Sequence, residues 1–200
     1  MIEQILADFE IAHQIRPAIL RYFNVAGADP DVELGEHHEP ETHLIPSVIH
    51  AALGIRPEIT VYGTDFPSKD GSAIRDYIHV SDLAQAHVQA LKYLMNEKKS
   101  LCVNLGTGTG YSVLEIIDAV HKFCGKSIPV RLERRRPGEP SNLTADSALA
   151  KKLLNWTPVY SELPFLIESA WKWHQFLSEN STLLEGLSNS FQKKVKNPNY

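Results

Sequence analysis

Arginines in two turn-rich segments are the side chains best suited to hold an anionic ligand. Arg75 lies in Gly-Ser-Ala-Ile-Arg-Asp-Tyr-Ile-His-Val at residues 71–80, and Arg136 lies in Arg-Arg-Arg-Pro-Gly-Glu at residues 134–139. A guanidinium donates paired hydrogen bonds to phosphate oxygens in a planar geometry that lysine cannot reproduce. The two arginines therefore suit a diphosphate ligand, but two solvated surface arginines would give the same pattern, and the pattern alone does not decide between the two.

Asn24 and a glycine-rich stretch offer two further ligand positions. Asn24 follows a predicted buried strand, and open α/β sheets bind ligands beyond the carboxyl ends of their strands. A plain turn asparagine fits the same pattern. The stretch Gly-Thr-Gly-Thr-Gly at residues 106–110 lies between a predicted strand and a predicted helix, with Glu133 further along. Its spacing differs from the G-x-G-x-x-G of dinucleotide-binding loops, so it predicts a tight turn.

Histidines and glutamates are concentrated between residues 36 and 43. They are Glu36, His37, His38, Glu39, Glu41 and His43. A protein metal site requires its ligands at characteristic spacings, and this spacing matches no common metal motif. We therefore predict a hydrated surface loop and no metal site.

The elements that must position these side chains alternate between helices and strands. Hydrophobic spacing and turn residues predict helices from residue 2, over 44–53, from Ser81, from Ser112, over 147–154 and over 162–177. They predict strands over 17–23, 58–62, 76–80, 101–105 and 128–132, with a turn over 24–30 after the first strand. Ser81 is predicted to cap its helix, and Ser112 and Glu115 to form a capping box that opens a helix ended by Gly125. This alternation predicts an α/β fold. Only strands 18–23 and 101–105 are apolar enough to be central parallel strands, so we expect them to belong to a larger sheet.

Composition excludes several functional classes. The 20 basic residues are outnumbered by 24 acidic ones, so the net charge of -4 gives no reason to expect nucleic-acid binding. Cys102 and Cys124 have apolar neighbours, which favours buried thiols and a reducing cytoplasm over a disulfide scaffold. The first residues are acidic and no apolar run has the roughly 18 residues of a membrane span. We therefore expect a cytoplasmic protein that does not contact membranes.

Six stretches between residues 1 and 177 resemble one protein family. They are Arg-Tyr-Phe-Asn-Val-Ala-Gly-Ala at 21–28, Thr-His-Leu-Ile-Pro at 42–46, Val-Tyr-Gly-Thr-Asp-Phe-Pro at 61–67, Asp-Gly-Ser-Ala-Ile-Arg-Asp-Tyr-Ile-His-Val-Ser-Asp-Leu-Ala at 70–84, Asn-Leu-Gly-Thr-Gly at 104–108 and Arg-Arg-Pro-Gly-Glu at 135–139. The chain thereby resembles the UDP-glucose 4-epimerases of the extended short-chain dehydrogenase/reductase group. The fourth stretch distinguishes these epimerases from related sugar dehydratases.

The resemblance implies contacts for the sugar, the phosphates and the cofactor. Phe23 matches the residue that packs near the nicotinamide of NAD, and Asn24 matches an amide that contacts the phosphates of the nucleotide sugar. His43 and Leu44 match positions that approach the substrate, largely through their backbone. Leu143 matches a gate beside the sugar, where side-chain size affects whether N-acetylated sugars fit.

The resemblance also implies the grip on uridine diphosphate. Thr60, Val61 and Tyr62 match the strand that receives uracil, with Tyr62 as the stacking ring. Arg75 and Arg136 match the pyrophosphate clamp, which favours the ligand interpretation of the two arginines over the surface one.

Glu139 matches a position that is usually aspartate and binds the uridine ribose. Its longer side chain leaves its contact with the ribose open.

The family's chemistry needs residues that the 200 residues do not contain. Its members bind NAD on a glycine-rich N-terminal Rossmann domain, and a Tyr-x-x-x-Lys pair removes the proton of the 4-hydroxyl group. No Tyr-x-x-x-Lys pair and no G-x-G-x-x-G loop occur in the sequence. We therefore expect residues 1–177 to be a C-terminal substrate-binding portion, a remnant of a Rossmann parallel sheet plus the smaller α/β lobe, without the N-terminal domain and without catalytic residues.

Several expectations follow for the activity and the partners of the chain. The complete enzyme would interconvert UDP-glucose and UDP-galactose and form a homodimer, and the chain alone would be inactive. Residues 178–200 are predicted to be a polar tail. A non-catalytic UDP-sugar-binding module and part of another sugar-nucleotide epimerase or dehydratase are the alternatives.

Overall fold

The computed structural model describes residues 1–180, in which helices alternate with short strands. The helices are α1 (Ile2–His13), α2 (Leu44–Ala52), α3 (Val80–Glu97), α4 (Val113–Cys124), α5 (Ala148–Leu154) and α6 (Leu163–Glu179). The strands are β1 (Ala18–Tyr22), β2 (Asn24–Ala26), β3 (Ile59–Tyr62), β4 (Ile74–His79), β5 (Leu101–Leu105), β6 (Gly110–Ser112), β7 (Val130–Glu133) and β8 (Asn142–Leu143). The predicted α/β class is confirmed. Each helix of residues 1–180 is too short or too polar to cross a lipid bilayer.

Parallel pairing dominates the strands. β1 pairs with β5, β2 with β4 and β3 with β7, each in parallel. β4 also receives β8 in parallel and β6 in antiparallel orientation, so it lies inside a four-stranded sheet. The registers set Asn24 opposite Tyr77 and Arg75 opposite Leu143. Residues that are far apart in the chain therefore meet along β4.

Two apolar clusters hold these elements in place. In the first, Ile49 of α2 and Leu166 of α6 are fully buried together with Val61 of β3. The second contains Leu105 of β5 and Trp156, which are also buried. Burying a side chain of this size stabilises the fold by roughly 1.5–3 kcal/mol. The clusters therefore fix the strands whose ends carry the candidate site residues.

Side chains cap both α3 and α4, but only the cap of α4 is the residue that the sequence predicts. The Ser112 hydroxyl accepts a hydrogen bond from the Glu115 amide, and the Glu115 carboxylate accepts one from the Ser112 amide. α3 begins before Ser81, the predicted cap, and its N-cap is His79, whose Nδ1 accepts from the Ser81 amide at 3.1 Å. The prediction was wrong because His79 is buried and held by Ser169 of α6 at 3.1 Å.

The sheet of β1 and β5 is less buried than the sequence predicts. None of the five residues of β1 is buried, and α1 likewise buries no side chain. Cys102 on β5 is exposed, so the prediction of a buried thiol was wrong there. Buried and exposed positions alternate along β5 because α3 and α5 pack on one face of the sheet, while side chains of the other face remain exposed.

Two segments differ in extent from the sequence prediction. Where a turn was predicted after residue 23, β2 forms instead and pairs with β4. α6 continues to Glu179, two residues beyond its predicted end. The remainder of the predicted tail, residues 181–200, lies outside the described residues.

Candidate functional site

A cleft of about 1620 Å³ lies between β2, β3, β4 and the segments that precede α2 and follow β7. Pockets for ordinary small molecules measure roughly 300–1,000 Å³. The cleft therefore has room for an extended ligand.

Nine of the eleven predicted site residues line this cleft. They are Phe23, Asn24, His43, Leu44, Thr60, Tyr62, Arg75, Arg136 and Glu139. Val61 does not, because alternate residues of a strand face opposite sides and its side chain is fully buried in the core. Leu143 lies in β8 opposite Arg75 and is 43% exposed, outside the lining of the cleft.

Arg75 is fixed in the wall of the cleft by partners from two segments. Its Nη2 donates to Glu139 Oε1 at 2.9 Å, and its Nη1 donates to the carbonyl oxygens of Ile74 at 2.7 Å and Pro140 at 3.0 Å. The side chains of Arg75 and Glu139 are only 15% and 21% exposed. These hydrogen bonds therefore hold the guanidinium of Arg75 at a fixed position in the wall of the cleft.

Glu139 carries an acceptor that its surroundings leave unsatisfied. Its Oε2 atom is buried and has no hydrogen-bond partner, whereas Oε1 accepts from Arg75. A buried acceptor without a partner costs about 1–3 kcal/mol. A ligand hydroxyl that donated to this oxygen would remove that cost.

Arg136 covers the ring that the sequence predicts to stack on a base. Its guanidinium carbon lies 3.9 Å from the centroid of the Tyr62 ring, within the range of a cation–π contact. Tyr62 itself is 37% exposed. A ligand that offers both phosphates and an aromatic ring can draw Arg136 to the phosphates and take its place on Tyr62.

Asp76 is a buried polar residue that sequence reasoning did not single out. Its carboxylate accepts hydrogen bonds from the amide and hydroxyl of Thr107 and from the amides of Gly108 and Ala145, at 2.8–3.1 Å. Asn24 donates to the Asp76 carbonyl oxygen at 3.2 Å. The available signal was an aspartate directly before the apolar pair Tyr77 and Ile78 of a predicted strand, since a carboxylate buried with them requires donors from elsewhere.

The contacts of Asp76 also determine what the glycine-rich stretch does. The amides of Thr107 and Gly108 point at a carboxylate, and Gly108 has a φ of +81°. The stretch is therefore the tight turn that its spacing predicts. Its amides are already paired, so they do not form a phosphate cradle.

The segment between residues 36 and 43 is more ordered than a hydrated loop. Glu36, His38, Glu41 and His43 place their ligand-capable atoms within 4.8 Å of one another. Glu41 is buried, so the prediction of a hydrated loop was wrong at this position. Burial alone would raise the pKa of Glu41, but hydrogen bonds from the amide and ring of His43 keep that pKa below its ordinary value. Burial and the nearby Glu41 charge raise the pKa of Glu36.

Comparison with known proteins identifies UDP-glucose 4-epimerases among the relatives of this chain. The model of the NAD dependent epimerase/dehydratase family matches residues 1–106. The UDP-glucose 4-epimerase of Lacticaseibacillus casei is 46% identical over 173 residues, which are 86% of this chain and 52% of that protein. The chain spans about half the length of the curated relatives it matches.

Solved structures agree with this result. The UDP-glucose 4-epimerase from Brucella ovis in complex with NAD matches 85% of this chain and 52% of its own, with a TM-score of 0.82 and 49% identity. The enzyme from Bifidobacterium longum in complex with NAD+ and UDP matches 90% of this chain and 52% of its own, with a TM-score of 0.81 and 38% identity. The α/β fold thus matches part of the UDP-glucose 4-epimerase structures.

The family model covers more than half of the chain, and the relatives bind NAD and UDP-sugars in their solved structures. The chain therefore belongs to the NAD dependent epimerase/dehydratase family, as a homologue of UDP-glucose 4-epimerases that spans about half of their length.

Proposed function

We propose that residues 1–177 are the C-terminal substrate-binding portion of a UDP-glucose 4-epimerase and that their cleft binds the UDP part of a UDP-sugar. The observation that carries this proposal is the meeting of two arginines and an unsatisfied carboxylate in one cleft. Arg75 and Arg136 supply guanidinium donors for a diphosphate, and the buried Glu139 Oε2 lacks the donor that a ribose hydroxyl would provide.

Binding would exchange contacts that the protein now makes with itself. Arg136 would leave the face of Tyr62 and contact the diphosphate beside Arg75, which remains paired with Glu139. Uracil would then stack on the vacated ring, next to Thr60 and the backbone of Val61. Exchanging one cation–π contact for a contact with phosphate is favourable, because charge-assisted hydrogen bonds to phosphate are stronger than cation–π contacts.

The sugar would lie toward the opposite end of the cleft. His43 and Leu44 line it at the start of α2, and Phe23 and Asn24 line it at the start of β2. We propose UDP-glucose and UDP-galactose as the natural ligands. Leu143 does not line the cleft in this structure, so only the resemblance supports its role as a gate for an N-acetyl group.

The described residues offer neither free amides for the phosphates of NAD nor the acid–base pair of the family. The glycine-rich turn at residues 106–110 has its amides paired with Asp76, and the sequence holds no Tyr-x-x-x-Lys pair. Phe23 alone would contact the nicotinamide. We therefore place the proton and hydride steps outside these 200 residues. The 200 residues would contribute β1 and β5 to the parallel sheet.

Calorimetric titration of the full chain with UDP and with uridine tests the nucleotide site. We expect UDP to bind and Arg136→Gln to weaken UDP binding by about 10-fold to 100-fold, because a hydrogen bond to a charged group contributes roughly 1.5–3 kcal/mol. Uridine binding should change far less. Arg135→Gln is the matched control, since Arg135 is adjacent in sequence but outside the cleft lining. An absence of heat with UDP on the folded chain would remove the proposal.

Turnover of UDP-galactose with added NAD distinguishes the two candidate functions of the chain. A non-catalytic UDP-sugar-binding module is the second candidate, favoured by the absence of a Tyr-x-x-x-Lys pair from the sequence. We expect the 200-residue chain to bind UDP without epimerising it, and the chain joined to a family Rossmann domain to turn over. Turnover by the 200 residues alone would contradict our placement of the chemistry, while a joined protein that bound UDP but stayed inactive would favour the module.

A further inference from the structure

A compact group of nitrogen and oxygen atoms precedes α2. The group contains Glu36, His38, Glu41 and His43, whose ligand-capable atoms all lie within 4.8 Å of one another. His43 Nδ1 lies 2.9 Å from Glu41 Oε1 and 3.7 Å from Glu36 Oε2. His38 Nδ1 lies 3.2 Å from Glu36 Oε2 and 3.8 Å from Glu41 Oε2. Each histidine therefore approaches both carboxylates.

These separations suit a tetrahedral metal ion. Zinc binds histidine nitrogen and carboxylate oxygen with bonds of about 2.0–2.2 Å, which places neighbouring ligand atoms about 3.3–3.6 Å apart. The four histidine-to-glutamate distances, from 2.9 to 3.8 Å, bracket that range. Small rotations of the two exposed histidine side chains would bring all four atoms to an ion, since each is about half exposed.

A second observation also points to a bound cation. Glu41 is only 7% exposed, and its Oε2 atom is buried without a hydrogen-bond partner. The other oxygen, Oε1, accepts from the amide of His43 at 2.7 Å and from its ring at 2.9 Å. The unsatisfied oxygen belongs to the cluster itself, on the side of His38. A bound cation would satisfy it, whereas bulk water does not reach it.

The charge of the cluster matches a divalent ion. Two carboxylates lie in this cluster, and placing two carboxylates side by side is unfavourable without a cation. Magnesium and calcium prefer all-oxygen ligands, whereas imidazole suits zinc and its neighbours in the first transition row.

We propose that Glu36, His38, Glu41 and His43 bind one zinc-class divalent metal ion. The ion would fasten the segment before α2, where His43 is the N-cap residue and Leu44 lines the cleft. It would thus stiffen one wall of the cleft while the side chain of His43 faces the metal. The inference does not depend on the proposed nucleotide binding.

Titration of the untagged, chelator-treated full chain with Zn²⁺ against a chromogenic zinc indicator tests the site. We expect one high-affinity ion per chain and a loss of affinity of at least about 10-fold in Glu41→Gln and in His38→Ala, which each remove one ligand. The matched controls are Glu39→Gln and His37→Ala, exposed residues of the same segment outside the cluster. They should bind zinc like the parent chain, and Mg²⁺ should not compete.

Cobalt provides a readout of geometry. Co²⁺ in the same chain should give the intense visible absorption of tetrahedral coordination, and His38→Ala should reduce it while leaving the far-ultraviolet circular dichroism unchanged. The inference is overturned if no stoichiometric zinc binds. It is also overturned if His37→Ala weakens binding as much as His38→Ala, because that result means scattered binding by the nine histidines. UDP titration in the presence of chelator keeps this failure separate from a failure of the nucleotide site.

Discussion

The carboxylate of Asp76 offers the sharpest test of how the strands around the cleft are held together. It is fully buried and accepts four hydrogen bonds, two on each oxygen. Oδ1 accepts from Thr107, and Oδ2 accepts from Gly108 and Ala145. Three of the four donors are backbone amides, so the side chain ties β4 to the glycine-rich turn and to the segment after β8.

Asp76→Asn preserves the shape of the side chain but replaces one acceptor oxygen with a donor. Two of the four hydrogen bonds then face an NH₂ group, and each bond to a charged group contributes roughly 1.5–3 kcal/mol. We expect the free energy of unfolding to fall by about 3 kcal/mol or more, which lowers the melting temperature of a chain of this size by roughly 6–12 °C.

Urea denaturation of Asp76→Asn measures this loss, with Asp118→Asn as the matched control. Asp118 is 55% exposed and pairs with Lys122 on the surface of α4, so its replacement should cost only about 0.3–0.5 kcal/mol. Amide hydrogen exchange at Gly108 should also become faster in Asp76→Asn. A loss below about 1 kcal/mol, close to that of the control, would refute the role given to this carboxylate.

Three further substitutions have expected outcomes. Burial, with the neighbouring imidazole of His50, lowers the pKa of His174 from 6.5 to about 4. The stability that neutral His174 contributes is therefore complete above pH 6.5 and is lost as the pH falls toward 4. In urea titrations between pH 7.5 and 5, we expect the free energy of unfolding of the parent chain to fall by about 2 kcal/mol more than that of His174→Gln. Gly27→Ala should cost about 3 kcal/mol, because Gly27 has a φ of +80° and a Cβ there would lie 2.4 Å from the ring of His79. Ser112→Ala should cost about 1–2 kcal/mol or more, because the same hydroxyl caps α4 and donates to the Asp70 carboxylate.

Matched variants show which outcomes would contradict these three expectations. Equal acid sensitivity of His174→Gln and the parent chain would assign that sensitivity to other groups. Gly54→Ala has a similar φ of +78° with open space around it, so an equal loss in Gly27→Ala would mean that the contact with His79 is unimportant. Ser81→Ala should be nearly neutral, because Ser81 does not cap α3; a loss equal to that of Ser112→Ala would contradict the observed helix start.

The sequence determined features that depend on neighbours within one helical turn. Ser112 and Glu115 are three residues apart, and their capping box forms as predicted. Gly125 ends α4 with a φ of 67°, as a residue without a Cβ readily does. The pattern of strands and helices likewise predicted an α/β fold, because hydrophobic periodicity reports which face of an element is buried. Nine of the eleven residues that the resemblance to a family selected line the cleft.

Only the tertiary structure decided which distant groups meet. Arg75 and Glu139 are 64 residues apart, and their pairing depends on β4 receiving the segment that contains β8. Asp76 found its donors in a turn about 30 residues further along the chain, and Glu41 became buried in a segment whose composition predicts hydration. Local rules cannot give these outcomes, because burial and pairing are set by the packing of whole elements, whereas propensity and spacing describe only a residue and its near neighbours.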